Sequence, residues 1–167
     1  SLDYLTVAPD WINTEGKKGN IEVKIEDKNL CKRYSVAVFN VENAGLSSAL
    51  EANEYLTLND VFLAKAGMRK VSKIVDATNI TMLMTSQPLH AFDYDKFIAV
   101  GGTETPKIVV RAAKKGEKLV LLDGKEIEFV EGDDIVICSN ETPVALAGAM
   151  GGQSTEIDDN TKKVILE

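Results

Sequence analysis

The order of patterns along this chain predicts an α+β fold: an alternating segment, then a helical stretch, then a series of short strands. Three observations carry that expectation. Ile21, Val23 and Ile25 alternate with Glu22, Lys24 and Glu26, the two-residue period of a half-buried strand. Between residues 46 and 87 the apolar spacing changes to three and four, and capping residues appear. After Gly101-Gly102, short apolar or alternating runs are separated by turn formers, as in strands joined by hairpins. Strands grouped with strands argue against a regular alternation of parallel strands with helices.

Residues 1–18, through Pro9, Trp11 and Glu15-Gly16-Lys17-Lys18, have no period and read as a leading segment. With the first strand they occupy residues 1–30. Residues 34–41 are a second β-rich run, ended by Asn43-Ala44-Gly45. Within 46–66, Leu50, Tyr55, Leu58, Val61, Phe62 and Lys65 suggest two helical pieces. Asn59 or Thr57 would cap the second, and Gly67 would stop it. Ser72 is the N-cap candidate of a further helix, with Ile74, Val75, Thr78 and Met82 at helical spacing. That helix must end before Pro88, whose ring disfavours helical backbone in the preceding residue. Residues 89–97 read as irregular. Strands are predicted over 107–112, 118–122, 125–130, 134–138, 144–147 and 164–166, with Asp123-Gly124 as a type I′ turn.

The chain has 167 residues, 44% of them apolar and 27% charged, which supports one core of ordinary size. Such a core buries roughly 70% of the unfolded surface, so one domain is expected, with two small lobes as the alternative. No run approaches the ~18 apolar residues of a membrane span, and no signal-peptide pattern opens the chain. Cys31 and Cys138 fall in predicted strands without ligand-like neighbours, and read as two buried thiols in a reducing compartment. A net charge of −7 opposes phosphate, so the chain is not expected to grip nucleic acid alone. It begins without methionine and stops on Val164-Ile165-Leu166-Glu167 inside a predicted strand, as a piece of a longer polypeptide would.

Chemistry concentrates at a few places. The sole histidine, His90, lies in Ser86-Gln87-Pro88-Leu89-His90-Ala91-Phe92-Asp93. It either activates a water, since imidazole titrates near neutrality, or ties a loop to backbone carbonyls. Asp76-Ala77-Thr78-Asn79 is costly inside a helix, because Asp, Thr and Asn compete for backbone hydrogen bonds. These groups either satisfy buried neighbours or line a polar pocket. Ala147-Gly148-Ala149-Met150-Gly151-Gly152 allows close backbone approach to a ligand, or is a plain tight turn. Arg69 is a helix-capping surface cation, or an anchor for phosphate or carboxylate. Glu156-Ile157-Asp158-Asp159 reads as a solvated loop, and Trp11 and Tyr34 as packing residues. No catalytic triad or metal cluster can be assembled.

Taken in order, these motifs resemble the editing domain of the β subunit of bacterial-type phenylalanyl-tRNA synthetase. The resemblance rests on Arg69, Val75-Asp76-Ala77-Thr78-Asn79 and Gln87-Pro88-Leu89-His90-Ala91-Phe92-Asp93. It continues through Val110-Arg111, Gly116-Glu117, Leu121-Leu122-Asp123-Gly124, the glycine-rich run after Ala145-Leu146, and Leu166-Glu167. It covers residues 31–167, which it marks as a tRNA-editing domain. The chain departs from the pattern at Met84-Thr85-Ser86, where the family commonly has an acidic residue and a glycine, at Ile80, and over 49–58.

The resemblance implies packed β-sheets with helices on one side, and hydrolysis of tyrosine wrongly esterified to tRNA(Phe). It implies His90 and Arg69 as catalytic groups, and Glu167, Thr78, Asn79, Ala147, Gly148 and Gly151 as substrate-binding ones. Glu167 would read the phenolic hydroxyl, His90 would orient or deprotonate water, and Arg69 would position the tRNA end. No metal or organic cofactor is implied for this domain; ATP and magnesium belong to the synthetic site of the whole enzyme. The implied partners are the α subunit, the remaining β-subunit domains and the 3′ end of tRNA(Phe) carrying tyrosine, in the cytoplasm. Two alternatives stay open: a non-catalytic tRNA-docking or assembly module, and a freestanding aminoacyl-ester hydrolase acting in trans.

Overall fold

The computed structural model describes residues 16–18, 21–41 and 58–167. In chain order the strands are β1 (Gly16–Lys18), β2 (Ile21–Ile25), β3 (Ala37–Asn40) and β4 (Ala91–Asp93), then β5 (Lys107–Ala112), β6 (Lys118–Val120) and β7 (Glu126–Glu128). β8 (Ile135–Ser139), β9 (Thr142–Leu146), β10 (Met150–Gly151) and β11 (Lys163–Leu166) complete them. The helices are α1 (Leu58–Lys65), α2 (Lys73–Thr85) and α3 (Tyr94–Gly101). The class is α+β, as the sequence predicts.

A six-stranded sheet runs β1-β2-β5-β8-β9-β10. Its β2–β5 pair is parallel, with Val23 opposite Ile108, so the chain leaves the sheet after β2 and returns at β5. The excursion contributes β3 and β4 to a second, three-stranded sheet in the order β3-β11-β4. There β11 pairs antiparallel with both neighbours, placing Val164 opposite Phe39 and Asp93. β6 and β7 form a separate hairpin.

The main sheet is covered on both faces, which explains the unbroken apolar run of β5. Ile108 and Val110 join Val23, Phe92, Phe97 and Ile165 in one buried cluster, while Val109 joins Leu119, Phe129 and Val136 in another. Each such side chain contributes about 1.5–3 kcal/mol on burial. Arg111 shares the Val109 face and is only 2% exposed. It forms a two-pronged ion pair with Glu117, at 2.9 and 2.6 Å, and donates to the carbonyls of Ala112 and Glu141. Arg111 and Glu117, from the Val110-Arg111 and Gly116-Glu117 motifs, therefore have a structural role.

Local chemistry sets most boundaries. Ser72 caps α2 by accepting from the Val75 N–H, and Ser86 ends it in a left-handed conformation. Gly67, at φ +75°, stops α1 as predicted. Asn59 lies inside α1, not at its cap, while Thr57, Trp11 and the first helical piece of 46–66 fall outside the described residues. Residues 89–97 are not irregular; they hold β4 and the start of α3. All three β4 residues are buried, so no alternation marks the strand, and Asp93 caps α3 by accepting from the Lys96 N–H.

The Asp123-Gly124 turn is not type I′. Gly124 has φ +83° and its N–H donates to the Leu121 carbonyl, but Asp123 is not left-handed, so the loop has three residues. Cys31 also departs from expectation: it sits half-buried in the loop before β3, whereas Cys138 is buried in β8 as predicted.

Candidate functional site

The loop before β3, the segment leading into β4, and the β9–β10 hairpin enclose a cavity of about 590 Å³. Apolar side chains of the main sheet, Val110, Ile135 and Ile137, form its base. Its polar side chains are those of His90, Glu167, Tyr34, Arg33, Ser35 and Gln87.

His90 and Glu167 meet because the β4–β11 ladder continues one residue past Leu166↔Ala91. The His90 N–H donates to the Glu167 carbonyl (3.2 Å) and the Glu167 N–H donates to the His90 carbonyl (2.9 Å). Residues paired in this way carry their side chains on the same face, so both line the cavity.

Burial lowers the His90 pKa below its ordinary value, which keeps the imidazole neutral and able to accept a proton. Its ring meets Phe92 edge-on, with centroids 4.6 Å apart. Burial acts oppositely on Glu167, pushing its carboxyl up to about 8. The Tyr34 hydroxyl donates to Glu167 Oε2.

The glycine-rich run is both a tight turn and a cavity wall. Gly148 has φ +70° in the β9–β10 turn and nothing lies within 4 Å of where a Cβ would stand. Gly151 serves differently: a Cβ there would come within 2.5 Å of His90 Nε2. The Ala147 N–H donates to the Ile135 carbonyl and is already committed.

Five of the anticipated site residues therefore come together: His90, Glu167, Ala147, Gly148 and Gly151. Arg69, Thr78 and Asn79 do not line this cavity. Arg69 is exposed between α1 and α2, and Thr78 and Asn79 are half-buried on α2. The Thr78 hydroxyl donates to the Val75 carbonyl, while buried Asp76 accepts from the Val71 N–H. Asp76 and Thr78 of the helical polar cluster thus satisfy local backbone.

Four polar lining residues, Arg33, Tyr34, Ser35 and Gln87, escaped the sequence reading as site residues. Tyr34, taken there for packing, contributes its hydroxyl, and Arg33 is an exposed cation whose Nε donates to Ser35 Oγ. Among the described residues no group of His, Cys, Asp or Glu is arranged to hold a metal ion. No helix among them is long and apolar enough to cross a membrane.

Residues 51–167 match the family model of the B3/4 domain, and the chain belongs to that family. Its relatives include the phenylalanine–tRNA ligase beta subunit of Streptococcus agalactiae serotype Ia, 52% identical over 178 aligned positions. That alignment covers all of this chain and 21% of the relative. The same subunit of Carboxydothermus hydrogenoformans is 41% identical over 148 positions, covering 88% of this chain and 16% of the relative. The chain thus spans about a fifth or less of these relatives' length. Among solved structures, an N-terminal fragment of the phenylalanyl-tRNA synthetase beta subunit from Pyrococcus horikoshii shares the fold. Its TM-score is 0.54 at 16% identity, over 92% of this chain and 44% of that one.

Proposed function

We propose that this chain is the editing portion, taken as residues 31–167, of a phenylalanine–tRNA ligase beta subunit, and that it hydrolyses tyrosine wrongly esterified to tRNA(Phe). The observation that carries this reading is the pairing of His90 with Glu167 across one strand ladder, both lining one cavity.

The chemistry follows from the two side chains. An apolar synthetic pocket rejects an added hydroxyl by only about 10²-fold, so a second pocket that requires the hydroxyl improves fidelity. Glu167 accepts the substrate's phenolic hydrogen bond; phenylalanine leaves the carboxyl without it, at a cost of about 1–3 kcal/mol. Neutral His90 takes a proton from water as the oxygen attacks the ester carbonyl. The tetrahedral oxyanion is stabilised by backbone N–H groups of the hairpin. Since the Ala147 N–H is occupied, Gly148 is the donor assigned here. The ester oxygen leaves on the ribose and recovers the proton, releasing tyrosine and tRNA.

Arg69, exposed outside the cavity, is assigned to the tRNA end, and Thr78 and Asn79 take no direct part. The reading needs no cofactor in this domain; ATP and magnesium act at the synthetic site. It places the chain in the cytoplasm with the α subunit and the other β-subunit domains, which hold the tRNA body.

The test is His90→Ala in the whole synthetase. Deacylation of tyrosyl-tRNA(Phe) is expected to slow about 10²-fold, with phenylalanine attachment unchanged. Deacylation at the wild-type rate would overturn the catalytic role, and absence of deacylation even in the unmodified enzyme would leave a docking module.

A further inference from the structure

We propose that Tyr34 is a specificity-determining residue of the cavity: its hydroxyl, donating to Glu167 Oε2, fixes the carboxyl so that Oε1 meets the para substituent of a bound aromatic amino acid. The inference rests on the editing reading and adds to it a residue that positions the reader of the substrate hydroxyl.

The argument begins with the freedom of a carboxyl group. The last torsion of a glutamate side chain is broad, so an unheld carboxyl turns to whatever donor is near. A buried one that swivels discriminates poorly, because a water or a shifted side chain can satisfy it whichever ligand is bound. Among the described residues Tyr34 is the side-chain donor to Glu167, and it arrives from a distant part of the chain, 133 residues away.

The loop that carries Tyr34 is itself anchored. Val36, 1% exposed, inserts into the core immediately before β3. At the other end of the loop, the Cys31 N–H donates to the Asp27 carbonyl and its thiol to the Arg33 carbonyl. The phenol therefore has little room to follow a moving carboxyl.

Tyr34 also offers the same functional group that the substrate would bring. With tyrosine bound, one carboxyl receives two phenols, one on each oxygen, and both oxygens are satisfied. With phenylalanine bound, Oε2 remains held and Oε1 is left unpaired in an apolar cavity. Without the Tyr34 hydroxyl, the carboxyl swivels and water enters beside it, so the two ligands differ less. Loss of that donor also favours the neutral carboxyl, a weaker acceptor than the anion.

The experiment measures tyrosine and phenylalanine binding to the full 167-residue chain by calorimetry, in wild type and Tyr34→Phe, with melting recorded for both. Wild type is expected to prefer tyrosine, and the variant to lose about tenfold of that preference while phenylalanine affinity stays within about twofold. A wild-type chain with no tyrosine preference would sink the editing reading itself. A wild-type preference that survives in a folded Tyr34→Phe chain would sink the Tyr34 proposal alone. Should that variant melt early, 3-fluorotyrosine at position 34 keeps the ring and the hydroxyl. Its fluorine resonance is expected to move when tyrosine binds and to stay when phenylalanine is added at the same concentration. Tyrosine binding with an unmoved resonance overturns the proposal.

Discussion

Glu167 is pulled two ways: burial favours the neutral acid, while a donated phenol favours the anion. A second phenol, from bound tyrosine, adds to the anionic side, so tyrosine binding must lower the carboxyl's pKa from about 8. By linkage, tyrosine affinity rises as pH climbs from 6 through 8 and then levels off. Burial lowers the His90 pKa, which diminishes the part its own titration plays in that window. The tyrosine-to-phenylalanine affinity ratio is expected to grow roughly three- to tenfold between pH 6 and 8.5, following the greater strength of charge-assisted hydrogen bonds. Calorimetry across that range checks it, with Glu167→Gln expected to show a flat ratio. Stability moves the opposite way. A carboxyl raised by folding contributes its full stability below its unfolded value near 4.5 and loses it as pH rises through about 8. At this scale the sequence alone left His90 open between two roles, and only the ordered resemblance pointed to Glu167. Tyr34 was illegible because its partner lies 133 residues away, a distance that no local pattern encodes.

The β9–β10 hairpin assigns different work to two glycines that look alike in sequence. At Gly148 a side chain would meet open space, so only the left-handed backbone resists it. Gly148→Ala keeps the backbone N–H assigned to the oxyanion and is expected to cost about 1 kcal/mol of stability, with deacylation per folded molecule slowed less than at Gly151. At Gly151 an added Cβ presses on the His90 imidazole, within 2.5 Å of Nε2. Gly151→Ala is therefore expected to slow deacylation about tenfold or more, since general-base help depends on the position of the base. Melting and deacylation measured on the same preparations separate the two cases; equal behaviour of both variants would refute the division. Elements with chemical punctuation were legible: Ser72 capping α2, Gly67 ending α1, and the apolar run of β5. β4 and α3 were not, because three wholly buried residues show no alternation and an eight-residue helix gives barely two turns of period.

Across the whole molecule, the sheet separates stability from chemistry. Ile108 and Val110 point into the cluster that includes Phe92 and Ile165, while Val109 and Arg111 occupy the opposite face. Arg111→Leu leaves Glu117 without its ion-pair partner, and a loss of about 3 kcal/mol is expected. Tyrosine binding per folded molecule should be retained, and chemical denaturation alongside calorimetry tests both halves. Charge sets a second expectation. With −7 overall and lysines in scattered pairs such as Lys114-Lys115 and Lys162-Lys163, the chain alone should bind tRNA more weakly than the ~10⁻⁴–10⁻⁶ M of ordinary non-specific binders. Filter binding at two salt concentrations measures this, and micromolar affinity would favour a hydrolase acting in trans. The α+β class was readable from the order of patterns. The second sheet was not, because β3, β4 and β11 are joined only by long excursions of the chain.

Those excursions bear on the order in which the molecule assembles. Closing a loop of such length costs entropy before any contact rewards it, so pairings distant in sequence form late in folding. The Tyr34–Glu167 bond and the His90–Glu167 backbone pair both wait for β11 to insert between β3 and β4. A chain with β5, β8, β9 and β10 paired but β11 unplaced would hold part of its core and none of its reading chemistry. Tyrosine binding during refolding therefore marks the completion of the last strand, not the collapse that precedes it.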